Sequence, residues 1–228
     1  MNLWSYDGSE WEPQKPTYLL DGPIEVTSDG TVWAVWLTDP EHYNGGVFGY
    51  LGNDGWTVVG EWPYPGSSPY VSDEGDVWAF GGAQMMDRQV HRFVDGVWLD
   101  DGPQWASGDV GPDGTVWVNS SGGFQRFDGA EWSPFGMPDW RWGSDWGDVR
   151  VAPDGTVWVA ARLDVPGGQV PACGQGVGGV AHFDGMAWDR YLPGRCVIAF
   201  DIAAHGSVWV LADDGLYVIT PEAVAAAE

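Results

Sequence analysis

The stretch Pro112-Asp113-Gly114-Thr115-Val116-Trp117-Val118 decides how the chain reads. Asp-Gly is the pair that supplies positive φ angles in a two-residue hairpin turn. Thr-Val-Trp-Val is a β-branched and aromatic run suited to a pleated sheet. A tight turn followed by a buried strand is predicted. The same phrase returns as Asp29-Gly30-Thr31-Val32-Trp33, Glu74-Gly75-Asp76-Val77-Trp78, Asp154-Gly155-Thr156-Val157-Trp158 and His205-Gly206-Ser207-Val208-Trp209. The five tryptophans therefore recur about every 40 to 50 residues, a period that marks a propeller or a similar array of sheets. Trp33, Trp78, Trp117, Trp158 and Trp209 are all expected to be buried.

A second phrase alternates with the first: a strand residue, Asp-Gly, then Trp. It reads Tyr6-Asp7-Gly8 to Trp11, Asn53-Asp54-Gly55-Trp56, Val94-Asp95-Gly96 to Trp98, Phe127-Asp128-Gly129 to Trp132, and Phe183-Asp184-Gly185 to Trp188. This is another hairpin. Each repeat then holds four strands, a to d. The first turn joins a to b and the second joins c to d. The predicted fold is all-β: a five-bladed β-propeller of four-stranded antiparallel blades in one domain, 1–228. Segments 23–68, 69–107, 108–146 and 147–200 form four blades. Segments 1–22 and 201–220 pair to form the closing blade, and 221–228 is a tail. Leu3–Tyr6 and Gly215–Thr220 both read as strand c of that closing blade, so one of them must be displaced.

The two phrases together resemble the two-component regulator propeller repeat. Gly178-Gly179-Val180-Ala181-His182-Phe183-Asp184-Gly185-Met186-Ala187-Trp188 matches the second half of that repeat closely. The resemblance implies a bacterial building block found in extracellular sensor regions, usually in longer arrays. It implies no particular chemistry. Similar strand phrases occur in streptogramin lyases, but their site has no residue-by-residue counterpart here.

Composition narrows the classes further. A net charge of −24 disfavours nucleic acid and anionic membrane partners, which need clustered Lys and Arg. The acid serves turn chemistry and solubility, with a cation-binding surface as the sharper alternative. No apolar run is long enough to span a bilayer. No cofactor is implied. His42, His91, His182 and His205 are scattered over different repeats, so no metal site is expected. No Gly-x-Ser-x-Gly or other nucleophile motif occurs.

Long, varied segments fall between b and c and between blades, on one "top" face. Function concentrates on such loops. Trp62, Trp105, Trp140, Trp142, Trp146 and Tyr64 belong to this face and suggest an aromatic rim for stacking sugars or cations. At the head of each strand a stand Glu25, Tyr70, Asp109, Arg150 and Asp201. Alternation sets them towards a central channel, with Val26, Val71, Val110, Val151 and Ile202 in the core. The candidate ligand-binding set is Glu25, Tyr70, Trp105, Asp109, Trp140, Trp142, Trp146, Arg150 and Asp201. The turn face is expected to offer little concavity. Cys173 and Cys196 both lie on the top face, and a disulfide between them is expected, which implies an extracytoplasmic compartment.

These features favour a non-enzymatic recognition or sensor module. It would bind a sugar-like or cationic small molecule, or a protein, as a monomer. Two alternatives stay open. One is a carboxylate-dependent enzyme of glycoside hydrolase or lyase type; the other is a structural piece of a longer propeller.

Overall fold

The computed structural model describes residues 3–6, 9–14, 24–27, 29–37, 46–52, 55–64, 69–72, 75–80, 89–100, 102–104, 107–120, 123–136, 148–160 and 178–225. The chain divides into two compact units, Met1–Gly102 and Pro103–Glu228. The described residues hold 21 strands and one short helix, all antiparallel in their pairings. The fold class is the expected all-β propeller type with five blade-like sheets.

In the first unit, β1 (Leu3–Tyr6) and β2 (Trp11–Gln14) form a two-stranded sheet. Strands β3 (Glu25–Val26), β4 (Val32–Leu37), β5 (Gly46–Gly52) and β6 (Gly55–Trp62) make a four-stranded meander. So do β7 (Pro69–Val71), β8 (Val77–Phe80), β9 (Val90–Val94) and β10 (Val97–Leu99). In the second unit, β11 (Ser107–Val110), β12 (Val116–Ser120), β13 (Gly123–Phe127) and β14 (Trp132–Pro134) form one meander. The next is β15 (Asp148–Val151), β16 (Val157–Ala160), β17 (Val180–Phe183) and β18 (Trp188–Tyr191). The last sheet has three strands, β19 (Val197–Ile202), β20 (Val208–Ala212) and β21 (Gly215–Ile219), followed by α1 (Pro221–Ala225). Gly215–Ile219 thus takes the strand-c place in its sheet, pairing Val208 with Ile219 through Ala212 with Gly215.

The first-phrase turn differs from the expected two-residue hairpin. Gly111 N donates to Thr115 O at 2.8 Å, and Gly114 N donates to Gly111 O at 3.0 Å. Only the glycine takes a positive φ, +76° at Gly114 and +85° at Gly155. The aspartate acts through its side chain instead. Asp113 Oδ1 accepts from Thr115 N at 3.0 Å and Oδ2 from the Thr115 hydroxyl at 2.9 Å. This explains the invariable order Asp-Gly-Thr in three of the turns: acceptor, left-handed residue, paired donor. A two-residue turn with both φ angles positive, 50° and 83°, is at Asp95-Gly96.

Sheet-on-sheet packing builds the cores. Trp33, Val35, Phe48 and Trp62 on the first meander pack with Val71, Val77, Ala79, Phe93 and Trp98 on the second. In the second unit, Trp117 and Phe124 pack with Val149, Val157, Val159, Ala181, Phe183 and Trp188 of the following sheet. Trp158 and Ala160 then pack with Phe200, Val208, Val210 and Ile219 of the last sheet. Within each unit the pattern is the same: the strand-b tryptophans Trp33, Trp117 and Trp158 each face the next sheet in sequence.

Trp78, Trp117 and Trp158 are buried as expected, and Trp33 is half-buried. Trp209 is not buried: 44% of its surface is exposed, because no sheet follows its own in that unit. Trp62 and Tyr64 were expected on an exposed rim and lie in the core. Trp62 Nε1 donates to Tyr64 O at 2.8 Å, which removes the cost of burying the indole N–H. Of the positions expected in the core beside strand a, Val71 is buried, Val110, Val151 and Ile202 are half-buried, and Val26 is exposed.

Truncating the contact separates these cases. Trp117→Ala is expected to lower the unfolding free energy by about 3–5 kcal/mol. Trp209→Ala is expected to cost about 1 kcal/mol or less in dilute protein. Urea denaturation of both variants checks this, and equal losses contradict the packing rule.

Candidate functional site

Register fixes where the inner-strand candidates lie. Glu25 pairs with Trp33, Tyr70 with Trp78, Asp109 with Trp117, Arg150 with Trp158 and Asp201 with Trp209. Residues directly opposite in an antiparallel pair share one face of the sheet. The candidates therefore sit on the tryptophan face of each blade, which for Glu25, Asp109 and Arg150 is the face that packs on the next sheet of the same unit. Asp109 bridges to the next sheet's inner strand, whereas Asp201 lies on an exposed face.

In the second unit three of them stand on successive inner strands, β11, β15 and β19. Asp109 is half-buried, and both of its oxygens are engaged. Oδ1 accepts from Val110 N at 2.9 Å, and Oδ2 accepts from Val151 N at 2.8 Å on the next sheet's inner strand. The carboxylate is a clip between two sheets. Arg150 Nη1 donates to Val149 O at 2.8 Å, and its guanidinium lies 5.8 Å from the centre of the Phe200 ring. Arg150 Nε is 3.8 Å from Asp201 Oδ1. Asp201 Oδ1 also accepts from Ile202 N at 2.9 Å, and its side chain is 86% exposed. Asp109, Arg150 and Asp201 thus form one cluster, with the carboxylate most enclosed already bonded to backbone.

Burial pushes the Asp109 carboxyl up to about 6; the two N–H bonds and Arg150 oppose this, while Asp201 adds to it. The turn aspartates behave in the opposite way. Asp29 is held below the usual carboxylate range by the Thr27 hydroxyl and by Thr31, and Asp128 by the N–H groups of Glu131 and Ala130. Asp184 is held low by the N–H groups of Ala187 and Met186.

In the first unit, Tyr70 lies edge-on to Phe80 with ring centroids 4.6 Å apart, and Glu25 is half-buried. Trp105, Trp140, Trp142, Trp146 and Cys173 lie outside the described residues. Cys196 is buried, and no free cysteine is found among the described residues.

Two features escaped the sequence reading. His91 is buried, stacked on Tyr64 with centroids 3.7 Å apart, and its Nδ1 lies 2.7 Å from Asp100 Oδ1. Tyr64 donates its hydroxyl to the same oxygen at 3.2 Å. Tyr64, His91 and Asp100 are separated in sequence, and no spacing signals their meeting. The turn face is also more concave than expected. A cleft of about 510 Å³ is lined by Asp154, Thr156, Trp158, His182, His205 and Val224. Smaller clefts of about 340 and 260 Å³ open beside the turns at Asp113 and Asp29. Short turns leave gaps where sheets diverge, which a count of loop lengths does not reveal. Among the described residues no group of three or more His, Cys, Asp or Glu is arranged to hold a metal ion.

The pH dependence of stability isolates the clip. A carboxyl raised in the folded state contributes stability that is full below the unfolded value near 3.8 and lost as pH rises through about 6. The low-lying turn aspartates lose their contribution only as pH falls further, so the two windows do not overlap. Asp109→Asn removes the first window. The stability of the wild-type chain relative to Asp109→Asn is expected to rise as pH is lowered from 7 to 4 in denaturant titrations. A difference independent of pH contradicts the assignment.

No family model matches the chain. No curated protein matches it. Among solved structures it is similar to PorZ, a bacterial surface component of the type-IX secretion system of Porphyromonas gingivalis. The TM-score is 0.59 at 17% identity, covering 98% of this chain and 36% of that one. It is similar to YCF48 bound to D1 peptide, with a TM-score of 0.58 at 15% identity, covering 92% of this chain and 68% of that one. It is also similar to the extracellular domain of the hybrid two-component system BT3049 from B. thetaiotaomicron. There the TM-score is 0.55 at 12% identity, covering 92% of this chain and 29% of that one. The chain spans about a third of the length of PorZ and of the BT3049 domain. At these identities the likeness is one of fold, and it agrees with the resemblance to two-component regulator propeller repeats.

Proposed function

We propose that the chain is a non-enzymatic recognition module of the sensor type. The observation that carries this reading is the state of Asp109. A catalytic carboxylate must be offered to a substrate, but Asp109 spends both oxygens on backbone N–H groups, one on its own sheet and one on the next. Arg150 stands within ion-pair range of Asp201, so the two carboxylates are not set up as an acid and base facing a shared substrate. An arrangement that fixes sheets suits a rigid scaffold for variable loops.

The ligand is a sugar-like or cationic group, or a protein segment, held over the loop-rich face by Trp105, Trp140, Trp142 and Trp146. Exposed Asp201 supplies an acceptor. The net charge of −24 supports a neutral or cationic ligand over a phosphate. Similarity to an extracellular domain of a two-component protein supports an extracytoplasmic setting. That no free thiol is found among the described residues, and that the chain's other cysteine besides Cys196 is Cys173, supports a Cys173–Cys196 disulfide.

Screening against glycan, methylammonium and peptide panels tests the reading. Trp105→Ala with Trp146→Ala is expected to weaken a ligand so found at least tenfold, and Asp201→Asn to weaken a cationic one. Catalytic turnover of any panel member that is abolished by Asp109→Asn or Asp201→Asn overturns it. Thiol titration of the unfolded, unreduced chain is expected to find no reactive cysteine; two reactive thiols contradict the disulfide.

A further inference from the structure

The seams between sheets open on the turn face, and register fixes which side chain stands at each opening. Strand c sets Tyr50 opposite Trp33, Arg126 opposite Trp117 and His182 opposite Trp158. Residues opposite one another in a ladder share a face, so each stands beside its tryptophan at the seam. Each lines a cleft there, together with an Asp and a Thr of a first-phrase turn. Turn and tryptophan are constant. The strand-c residue gives each cleft its chemistry: a phenol, a guanidinium or an imidazole.

The Arg126 cleft, of about 340 Å³, lies in the second unit between the β11–β14 sheet and the β15–β18 sheet. Arg126 is half-buried, and its Nε is enclosed and meets no hydrogen-bond acceptor. Its guanidinium lies 5.6 Å from the centre of the Trp117 ring. Asp113, Asp154 and Asp184 line the same cleft, yet among the described residues none of them forms an ion pair with it. Their own turns hold them. Asp113 spends both oxygens on Thr115. Asp154 spends Oδ1 on the N–H and hydroxyl of Thr156, and Asp184 spends Oδ1 on the N–H groups of Met186 and Ala187. No hydrogen bond to Oδ2 of Asp154 or Asp184 is found among the described residues. The cleft therefore offers a guanidinium without a counter-ion and two carboxylate oxygens without a donor. Phe135 and Phe183, with ring centroids 4.9 Å apart, add an apolar wall.

We propose that this cleft binds a free α-amino acid with an apolar side chain, as its zwitterion. The ligand carboxylate accepts from the Arg126 guanidinium, a donor group shaped for that partner. The ligand ammonium donates to Oδ2 of Asp154 and of Asp184. The side chain rests on Phe135 and Phe183. Charge selects the class. Three carboxylates stand to one guanidinium, so a simple carboxylate is repelled on balance. A plain amine leaves Arg126 without a counter-ion. A zwitterion meets both demands, and the cleft has the volume of a small-molecule site. The site belongs to the turn face and is independent of the ligand proposed for the loop-rich face.

Isothermal titration calorimetry with L-leucine at physiological ionic strength tests it. L-Leucinamide, which lacks the carboxylate, and N-acetyl-L-leucine, which lacks the ammonium, are titrated beside it. L-Leucine is expected to bind once per chain, and each derivative at least tenfold more weakly. Arg126→Gln is expected to weaken L-leucine at least tenfold, with unchanged far-ultraviolet circular dichroism. Asp184→Asn keeps an oxygen for the Met186 and Ala187 N–H groups, so the turn is retained while the charge is lost. It is expected to weaken L-leucine several-fold, and it probes the same site should Arg126→Gln fail to fold. No binding of L-leucine at millimolar concentration overturns the proposal. So does a derivative that binds as tightly as L-leucine, or undiminished binding by folded Arg126→Gln or by Asp184→Asn.

Discussion

The packing of a strand-b tryptophan against the next sheet is the contact on which the rest of the structure depends. A single four-stranded meander has two faces and cannot bury either alone. Here one face of each sheet presents the tryptophan, and the other presents small and branched residues such as Val157, Val159 and Ala181. A large flat ring on one side and a bed of valines on the other are complementary in shape, so within each unit a sheet binds its successor. The register does the rest. It puts one inner-strand residue opposite each tryptophan, and where a sheet follows, as beside Asp109, that residue lies at the seam. Asp109 shows what such a residue does there: it joins the backbone of two sheets and gives up its ease of ionisation in return.

The acidic composition separates into two roles on this basis. Turn aspartates such as Asp113 and Asp154 are acceptors for the threonine two residues on, and they hold the chain reversal in place. Asp29, Asp128 and Asp184 are held below the usual carboxylate range by hydroxyl and N–H donors of this kind. Asp109 is the reverse case, an enclosed carboxylate whose charge is opposed by burial. Two aspartates of the same chain thus respond to pH in opposite directions, and the difference comes from solvent and donors.

Much of this was legible in the sequence. Asp-Gly-Thr-Val-Trp named the turn, the strand and the buried ring together, so strand order and blade number followed from counting phrases. Burial at the ends of the pattern was not legible. Trp209 repeats the phrase faithfully, yet a ring is buried only where something covers it, and local sequence does not say what lies opposite. The site was read less well. Asp109, Arg150 and Asp201 were rightly grouped, because equivalent positions of successive repeats fall near one another. Alternation along one strand does not reveal the pairing that sets them opposite Trp117, Trp158 and Trp209. Tyr64, His91 and Asp100 meet through the tertiary fold, with no motif to announce them.

A double-mutant cycle between Trp117 and Phe183 tests the central claim most directly. Their rings lie on adjacent sheets with centroids 6.0 Å apart. Unfolding free energies of Trp117→Leu, Phe183→Leu and the double variant give the coupling between the two sheets. The packing described here predicts a favourable coupling of about 0.5–1.5 kcal/mol. Additive losses, with no coupling, would contradict it.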